Sequence, residues 1–407
     1  MMSFPRTLLL TWRPPDGRYA GGEALRKVVA RLPAGQVWWA SLRACRPDAA
    51  FALCPHRAFV PRSLHWRLRD GTLSLLHDDW QAGRLAETIA QWARPFAPEV
   101  IWVLPEMGAV AVAQRLRRDF RAPLHATVHD SFENARFVVP RLYAPVYARN
   151  VRRLMAEVET VDAVSRELLE DLERRYKPFG RRGLVMRPVA SCPPPAEAGL
   201  APWDSRDTAS LRRIGICGST RLSVWQWRGF LGLLSKLPHT FEIVAFADRD
   251  SFPAVDSPAN VSLCLQDYAP SDEELVRRFQ AQGIAAAYLG LWKEPERQFF
   301  AQQSLSSKLT TYTAAGRPII VDGPEDSVAW RLVKQYAAGV LCADDETAAL
   351  AGLRRLLSDG DAWRQVAAGS ARLCQAEFDP AANVEHFKAL LCEAGGVEAG
   401  GAERNDE

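Results

Sequence analysis

Short apolar runs alternate with longer amphipathic stretches along almost the whole chain. In the first half the runs are TLLLTW (7–12), QVWWAS (36–41), VIWVL (100–104), LHATVH (124–129), TVDAVS (160–165) and GLVMR (183–187). Between them lie segments of helical period: 22–32, 84–96, 108–120, 143–158 and 166–176. Near-continuous apolar strands joined by helical crossovers predict a parallel sheet covered on both faces. The stretch 50–80 has no clean period, and the segment around His77, Asp78 and Asp79 reads as a loop before a helix.

The alternation stops at RPVASCPPPAEAGLAPWDSRDTAS, where three consecutive prolines mark a linker. It then restarts with apolar runs at 211–218, 241–247, 261–265, 284–292, 317–323 and 338–342, followed by helices to about residue 391. The last 15 residues are rich in Gly and Glu and are expected to be disordered. The pattern therefore predicts an α/β chain with two Rossmann-like, doubly wound domains facing across a cleft. The expected boundaries are 1–190, a linker at 191–210, a second domain at 211–392 and a tail at 393–407. Sites in such folds lie at the carboxyl ends of the strands, which makes the cleft the expected place for chemistry.

Composition narrows the class. With 407 residues, 48% hydrophobic and 24% charged, the chain is of ordinary globular make-up. No apolar run is long enough to span a bilayer, and the first apolar run is too short for a signal peptide. The eight cysteines are scattered, with no CxxC pair or zinc spacing, as expected of reduced core thiols in the cytoplasm. The net charge of +3 conceals an asymmetry. Residues 1–190 hold 30 Lys and Arg against 19 Asp and Glu, whereas the remainder holds 21 against 29. A basic first half suits an anionic partner such as a lipid headgroup, and equally suits an ordinary solvated arginine-rich surface.

Two stretches carry candidate chemistry. In SLSSKLTTYTAAGRPIIVDG (304–323), Ser306 and Ser307 are potential caps of a short helix, and Lys308 adds a cation at its start. Unpaired amides at a helix start, with a lysine beside them, suit a phosphate. A capped helix with nothing bound explains the same residues. Gly316 is expected to end the helix with positive φ, and Pro318 to open a buried strand. In GICGSTRLSVWQWRGF (215–230), a strand ends before Gly218; Arg221 follows, and Arg228 and Gly229 come near a helix start. Such a glycine turn lets a diphosphate approach the backbone, and arginine grips its oxygens. Trp225, Trp227 and Trp292 are either core residues or platforms for a sugar ring.

Together these stretches resemble the donor half of the group 1 glycosyltransferases, which have the GT-B fold. That family has a G-R-L turn followed by K-G, then a K-L-x-E-Y-x-A-A-G-x-P-V-V block and an apolar G-V-L-V. Here Gly218, Arg221-Leu222, Arg228-Gly229, SKLTTYTAAGRPIIVDG and AAGVLC stand in that order. The first half is similar more generically, through Gly21-Gly22, LHATVHD and VDAVSRELLEDL. The likeness runs over nearly the whole chain.

The resemblance implies transfer of a sugar from a nucleotide-diphosphate donor to a hydroxyl, without a metal or a resident cofactor, in polysaccharide or glycolipid synthesis. It implies that Gly218, Arg221, Arg228, Ser306, Ser307 and Lys308 hold the diphosphate. Gln303 and Thr311 occupy positions where the family carries glutamates, the later of which contacts the donor ribose. A threonine offers a hydroxyl but no carboxylate there, so a non-catalytic nucleotide-sugar-binding or scaffold protein on the same fold is the alternative. His129 and Asp130 end an apolar strand and are the catalytic candidates; a strand-end histidine bonded to backbone is the rival explanation. Gly21 and Gly22 are expected in an acceptor-side loop. A lipid-linked or saccharide acceptor is expected, with a cytoplasmic protein in peripheral contact with an anionic inner-membrane surface. No nucleic-acid module is recognisable.

Overall fold

A computed structural model describes residues 4–15, 20–44, 53–61, 72–132, 140–176, 182–196, 211–218, 223–247, 249–342 and 345–396. The chain divides into two compact units, Met1–Arg187 with Ala381–Glu407, and Pro188–Pro380.

The first unit is built on a parallel sheet of β1 (Thr7–Thr11), β2 (Val37–Ser41), β3 (His56–Ala58), β4 (Val100–Val103), β5 (Leu124–Val128), β6 (Val158–Ala163) and β7 (Arg182–Val185). Their order is β3-β2-β1-β4-β5-β6-β7. The helices are α1 (Ala20–Val29), α2 (Thr72–Ala93), α3 (Ala109–Phe120), α4 (Ala144–Glu157) and α5 (Arg166–Arg175). Every residue of β1, β4 and β5 is buried, which explains why these strands read as continuous apolar runs rather than alternating ones. Two elements escape the periodicity. Strand β3 has only three residues, none fully buried. Helix α2 begins at Thr72, so residues 77–79 are helical and not a loop; Asp79 accepts a hydrogen bond from Asn150 of α4 at 2.8 Å.

The second unit repeats the plan with β8 (Leu211–Cys217), β9 (Thr240–Phe246), β10 (Val261–Gln266), β11 (Ile284–Gly290), β12 (Ile319–Asp322) and β13 (Gly339–Cys342), all parallel, in the order β10-β9-β8-β11-β12-β13. Its helices are α6 (Val224–Ser235), α7 (Asp272–Ala281), α8 (Pro295–Gln303), α9 (Lys308–Ala314), α10 (Val328–Gln335), α11 (Glu346–Ser358) and α12 (Gly360–Glu377). Trp363 of α12 is fully buried, and its indole donates to the Ala285 carbonyl at 2.6 Å, fastening that helix to the sheet.

The last helix, α13 (Pro380–Ala394), follows the second unit in sequence but groups with the first. Phe387 packs 4.6 Å from the Trp102 ring and 5.3 Å from His125, and Glu393 pairs with Arg182 at 3.0 Å. The expected second domain, 211–392, includes residues 381–392, whereas these group with the first unit; periodicity shows which face of a helix is apolar but not which sheet receives it. Most of the expected linker, 197–210, and the tail from residue 397 lie outside the described residues.

Candidate functional site

The strand order of each sheet reverses once, between β1 and β4 and between β8 and β11. In open parallel sheets such a switch point leaves a crevice at the carboxyl ends of the strands. Both units place polar residues there.

In the second unit β8 ends at Cys217, and Gly218 turns the chain with φ 65°, a conformation that costs any residue with a Cβ. A Cβ there would also lie 3.5 Å from Cε of Lys308. Lys308 opens α9, and Tyr312 one turn later fixes that helix. The Tyr312 hydroxyl accepts from the Cys217 amide and donates to the Tyr288 carbonyl, each at 3.1 Å. One buried side chain thus ties α9 to the ends of both switch-point strands. Burial lowers the Lys308 pKa, and the Cys217 thiol acts in the opposite direction.

The start of α9 differs from the capped helix expected. Ser307 occupies the cap position, but its side chain makes no capping bond. The amides of Leu309 and Thr310 instead bond to the carbonyls of Ser306 and Ser307 at 3.0 and 3.2 Å. Ser306 and Ser307 are half-buried. At the other end Gly316 has φ 67°, and its amide and that of Arg317 bond to Thr313 and Tyr312 carbonyls, as a left-handed stop requires.

Thr311 is 4% exposed, and its hydroxyl donates to Oδ1 of Asp272, the first residue of α7, at 2.5 Å. Gln303 is the half-buried last residue of α8. Arg228 is exposed on α6; among the described residues no hydrogen bond or ion pair joins it to Gly218 or Lys308. Arg221 lies outside the described residues. The structure therefore sets Lys308 beside Gly218, with Ser306 and Ser307 in the turn that leads into α9 and Thr311 within it.

A second feature of this unit is a cleft of about 270 Å³ lined by Trp225, Lys293, Gln298, Gly323, Pro324, Glu325 and Asp345. Lys293 is committed to Asp322 at 2.8 Å, and Asp322 also accepts from the Tyr288 hydroxyl at 2.7 Å. Of the three candidate tryptophans, Trp227 is core. Trp292 packs edge-on against Phe300, whereas Trp225 is 53% exposed.

In the first unit the carboxyl ends of β1, β4 and β5 carry Arg13, Glu106 and His129-Asp130. His129 is half-buried and Asp130 exposed. Burial holds the His129 imidazole below its ordinary range, while the Asp162 and Asp130 carboxylates pull it back up. Below it lies a buried polar network. His125 bonds to Thr160 at 2.9 Å and to Asp162 at 2.7 Å. Thr127 donates to Asp162 at 2.6 Å and accepts from the Trp102 indole at 2.7 Å. Each of these buried groups has the partner its desolvation demands.

Gly21 and Gly22 do not form a loop; both lie in the first turn of α1. A Cβ on Gly21 would stand 3.7 Å from Nδ1 of His129, an ordinary van der Waals contact, so α1 passes beside the end of β5. Glu106 was not singled out in the sequence. Burial pushes its carboxyl up to about 7, with Arg13 lowering and Asp130 raising it. Its signal is similar to that of His129: an ionisable residue just beyond the end of an apolar strand. Among the described residues no group of three or more His, Cys, Asp or Glu is gathered for a metal ion.

No known family profile matches the chain, and no curated protein does. Solved structures do. The sucrose-phosphate synthase of Thermosynechococcus elongatus matches with a TM-score of 0.68 at 13% identity, over 97% of this chain and 100% of that one. Anabaena HepE in complex with UDP and glucose matches with a TM-score of 0.63 at 14% identity, over 95% and 99%. The lipopolysaccharide outer core galactosyltransferase WaaB matches with a TM-score of 0.59 at 12% identity, over 95% and 99%. These are GT-B structures, and the chain has the GT-B fold.

Proposed function

We propose that this protein is a glycosyltransferase that moves a sugar from a nucleotide-diphosphate donor to a hydroxyl acceptor. The observation that carries the reading is the placement of Lys308 against the Gly218 turn at the β8–β11 switch point, held by Tyr312. A glycine turn admits an anion close to the backbone, and a half-buried lysine beside it loses little by pairing with one. The fold supports the reading: HepE, which shares it, was solved with UDP and glucose.

In this reading Lys308 stabilises the charge that develops on the departing diphosphate, with Ser306, Ser307, Arg221 and Arg228 assisting. His129, kept neutral by its burial, accepts or orients a hydroxyl proton, and Asp130 supports it. Glu106 joins them as a carboxyl poised to give or take a proton near neutrality. Lysine and arginine neutralise the diphosphate, so neither a metal nor a resident cofactor is invoked. A lipid-linked or saccharide acceptor, and peripheral contact of the basic first half with an anionic membrane from the cytoplasmic side, belong to the same proposal. Among the described residues no helix is long and apolar enough to cross a membrane.

The alternative, a non-catalytic nucleotide-sugar-binding protein, rests on Gln303 and Thr311. Incubation with a panel of UDP-, GDP- and dTDP-sugars distinguishes the two. Donor consumption with release of the nucleoside diphosphate, reduced about 10²-fold or more in Lys308→Ala, supports the enzyme. Donor binding without hydrolysis or transfer in any acceptor mixture supports the alternative. Unchanged turnover in Lys308→Ala overturns the assignment of the diphosphate site.

A further inference from the structure

In the first unit α3 packs against both α2 and α4. The outer surface of these helices combines two features that a merely solvated face does not need. The first is exposed apolar side chains. Leu142, in the turn before α4, is 79% exposed, and Trp80 and Leu76, four residues apart on α2, are 73% and 38% exposed. Turn and helix meet at Asp79, which accepts from Asn150 at 2.8 Å and has the Tyr143 hydroxyl beside its carboxylate. The contact brings their sequence neighbours Leu142 and Trp80 to one part of the surface. The second feature is arginine without an anion. Arg84, Arg115, Arg141, Arg149, Arg152 and Arg153 are all exposed, and no hydrogen bond or ion pair engages their guanidinium groups among the described residues. On α4 they lie away from the buried Tyr147, Val151 and Leu154. Arg115 of α3 reaches over α2, where a Cβ on Gly83 would lie 3.4 Å from its Nη1, within a turn of Trp80. Elsewhere surface arginines meet carboxylates, as Arg6 does Glu99, Arg182 does Glu393 and Arg364 does Asp361.

We infer that the α2–α3–α4 face docks on an anionic lipid bilayer, with Leu142 and Trp80 entering the headgroup layer and the six arginines meeting lipid phosphates. This rests on the membrane contact proposed above and gives it a place and an anchor. Like charges gathered on one face repel one another and are relieved by a counter-charge from outside. A soluble polyanion would supply that charge but would leave Leu142 and Leu76 in water. A bilayer answers both features, because interfacial binding adds buried apolar area to the attraction for anionic headgroups. Tryptophan also favours the headgroup level, where its ring is covered and its N–H stays wet. The residues of this face are separate from the groups assigned to sugar transfer, so they can be changed without touching that chemistry.

The test is co-sedimentation of the full chain with vesicles of phosphatidylcholine, alone or mixed with phosphatidylglycerol, and retention on heparin as the soluble polyanion. Two double variants are compared with the parent, Trp80→Ser with Leu142→Ser and Arg152→Gln with Arg153→Gln. The parent is expected to bind the mixed vesicles, and each double variant to bind them about tenfold or more weakly. The arginine pair is expected to lose most of the preference for phosphatidylglycerol, and the apolar pair to keep it while binding both vesicles less. Melting temperature and donor consumption without vesicles are expected to stay at parental values; should the apolar pair lower the melting temperature, the arginine pair decides. Variants that bind mixed vesicles as tightly as the parent overturn the assignment of this face and leave the membrane contact to another surface. A parent held by heparin but by neither vesicle, or by no probe, overturns both this inference and the membrane contact proposed above. Donor consumption in the same samples reads the glycosyltransferase separately.

Discussion

The hydroxyl of Tyr312 accepts the backbone amide of Cys217 at 3.1 Å, and through this bond the helix carrying Lys308 is fastened to the strand that ends at Gly218. The same hydroxyl donates to the Tyr288 carbonyl, so its removal leaves one buried donor and one buried acceptor unpaired. Tyr312→Phe is expected to lower stability by about 1–3 kcal/mol, seen as a lower urea midpoint with an unchanged slope. If Lys308 owes its position to this bond, the variant also raises the KM for the donor. A KM equal to that of the parent would separate the fastening from the site.

Gly218 carries two constraints at once, its φ of 65° and the nearness of Lys308. Alanine there meets the left-handed penalty of about 1–2 kcal/mol and brings a methyl into van der Waals contact with the Lys308 side chain. Gly218→Ala is expected to reduce the melting temperature and to weaken donor binding more than that loss of stability explains. Wild-type affinity in the variant would show that the turn does not border the ligand.

Glu106 makes the fold sensitive to pH. Burial raises its carboxyl to about 7 from an ordinary 4.5, so the folded chain binds this proton more tightly than the unfolded chain does. Its stabilising contribution is complete below about pH 4.5 and is lost as pH rises through about 7. Glu106→Gln is expected to be more stable than the parent at pH 8 and to remove this part of the slope, measured by urea unfolding at pH 5 and pH 8. Equal slopes in the two proteins would show that the carboxyl titrates normally.

His129 acts with the opposite sign. Its pKa is lowered in the fold, so the unfolded chain takes up this proton first. The contribution of the neutral ring is present above about pH 6.5 and is lost as pH falls below that value. His129→Gln is expected to weaken the acid dependence of stability. In the proposed role it also lowers transfer by about 10²-fold at pH 7, measured with the donor and acceptor pair that the panel identifies. Full transfer activity in His129→Gln would leave the residue as a strand-end hydrogen-bonding group.

Much of this protein was readable in one dimension. The apolar runs are strands because both sheet faces are covered, which makes burial continuous along β1, β4, β5 and β12. Gly316 and Pro318 announced the end of α9 because a positive φ and a missing amide are local properties of the chain. Their neighbour Ser307 was a fair cap by type, yet its hydroxyl caps nothing, since the backbone of that turn closes on its own carbonyls. Gly21 and Gly22 had the composition of a loop but lie in the first turn of a helix, where Gly21 passes beside His129.

Outside residues 50–80, the sequence by itself thus determined the order of strands and helices, the two-sheet plan and the short segment that bears Lys308. Periodicity and turn chemistry act over a few residues, and a single chain displays them. Only the tertiary structure decided that Asp272 meets Thr311, that Phe387 returns to the first sheet beside Trp102, and that Glu106 is pressed toward neutrality. Each depends on which helix packs against which sheet and on how much water that packing removes. Such partners lie tens to hundreds of residues apart, and no local pattern records them.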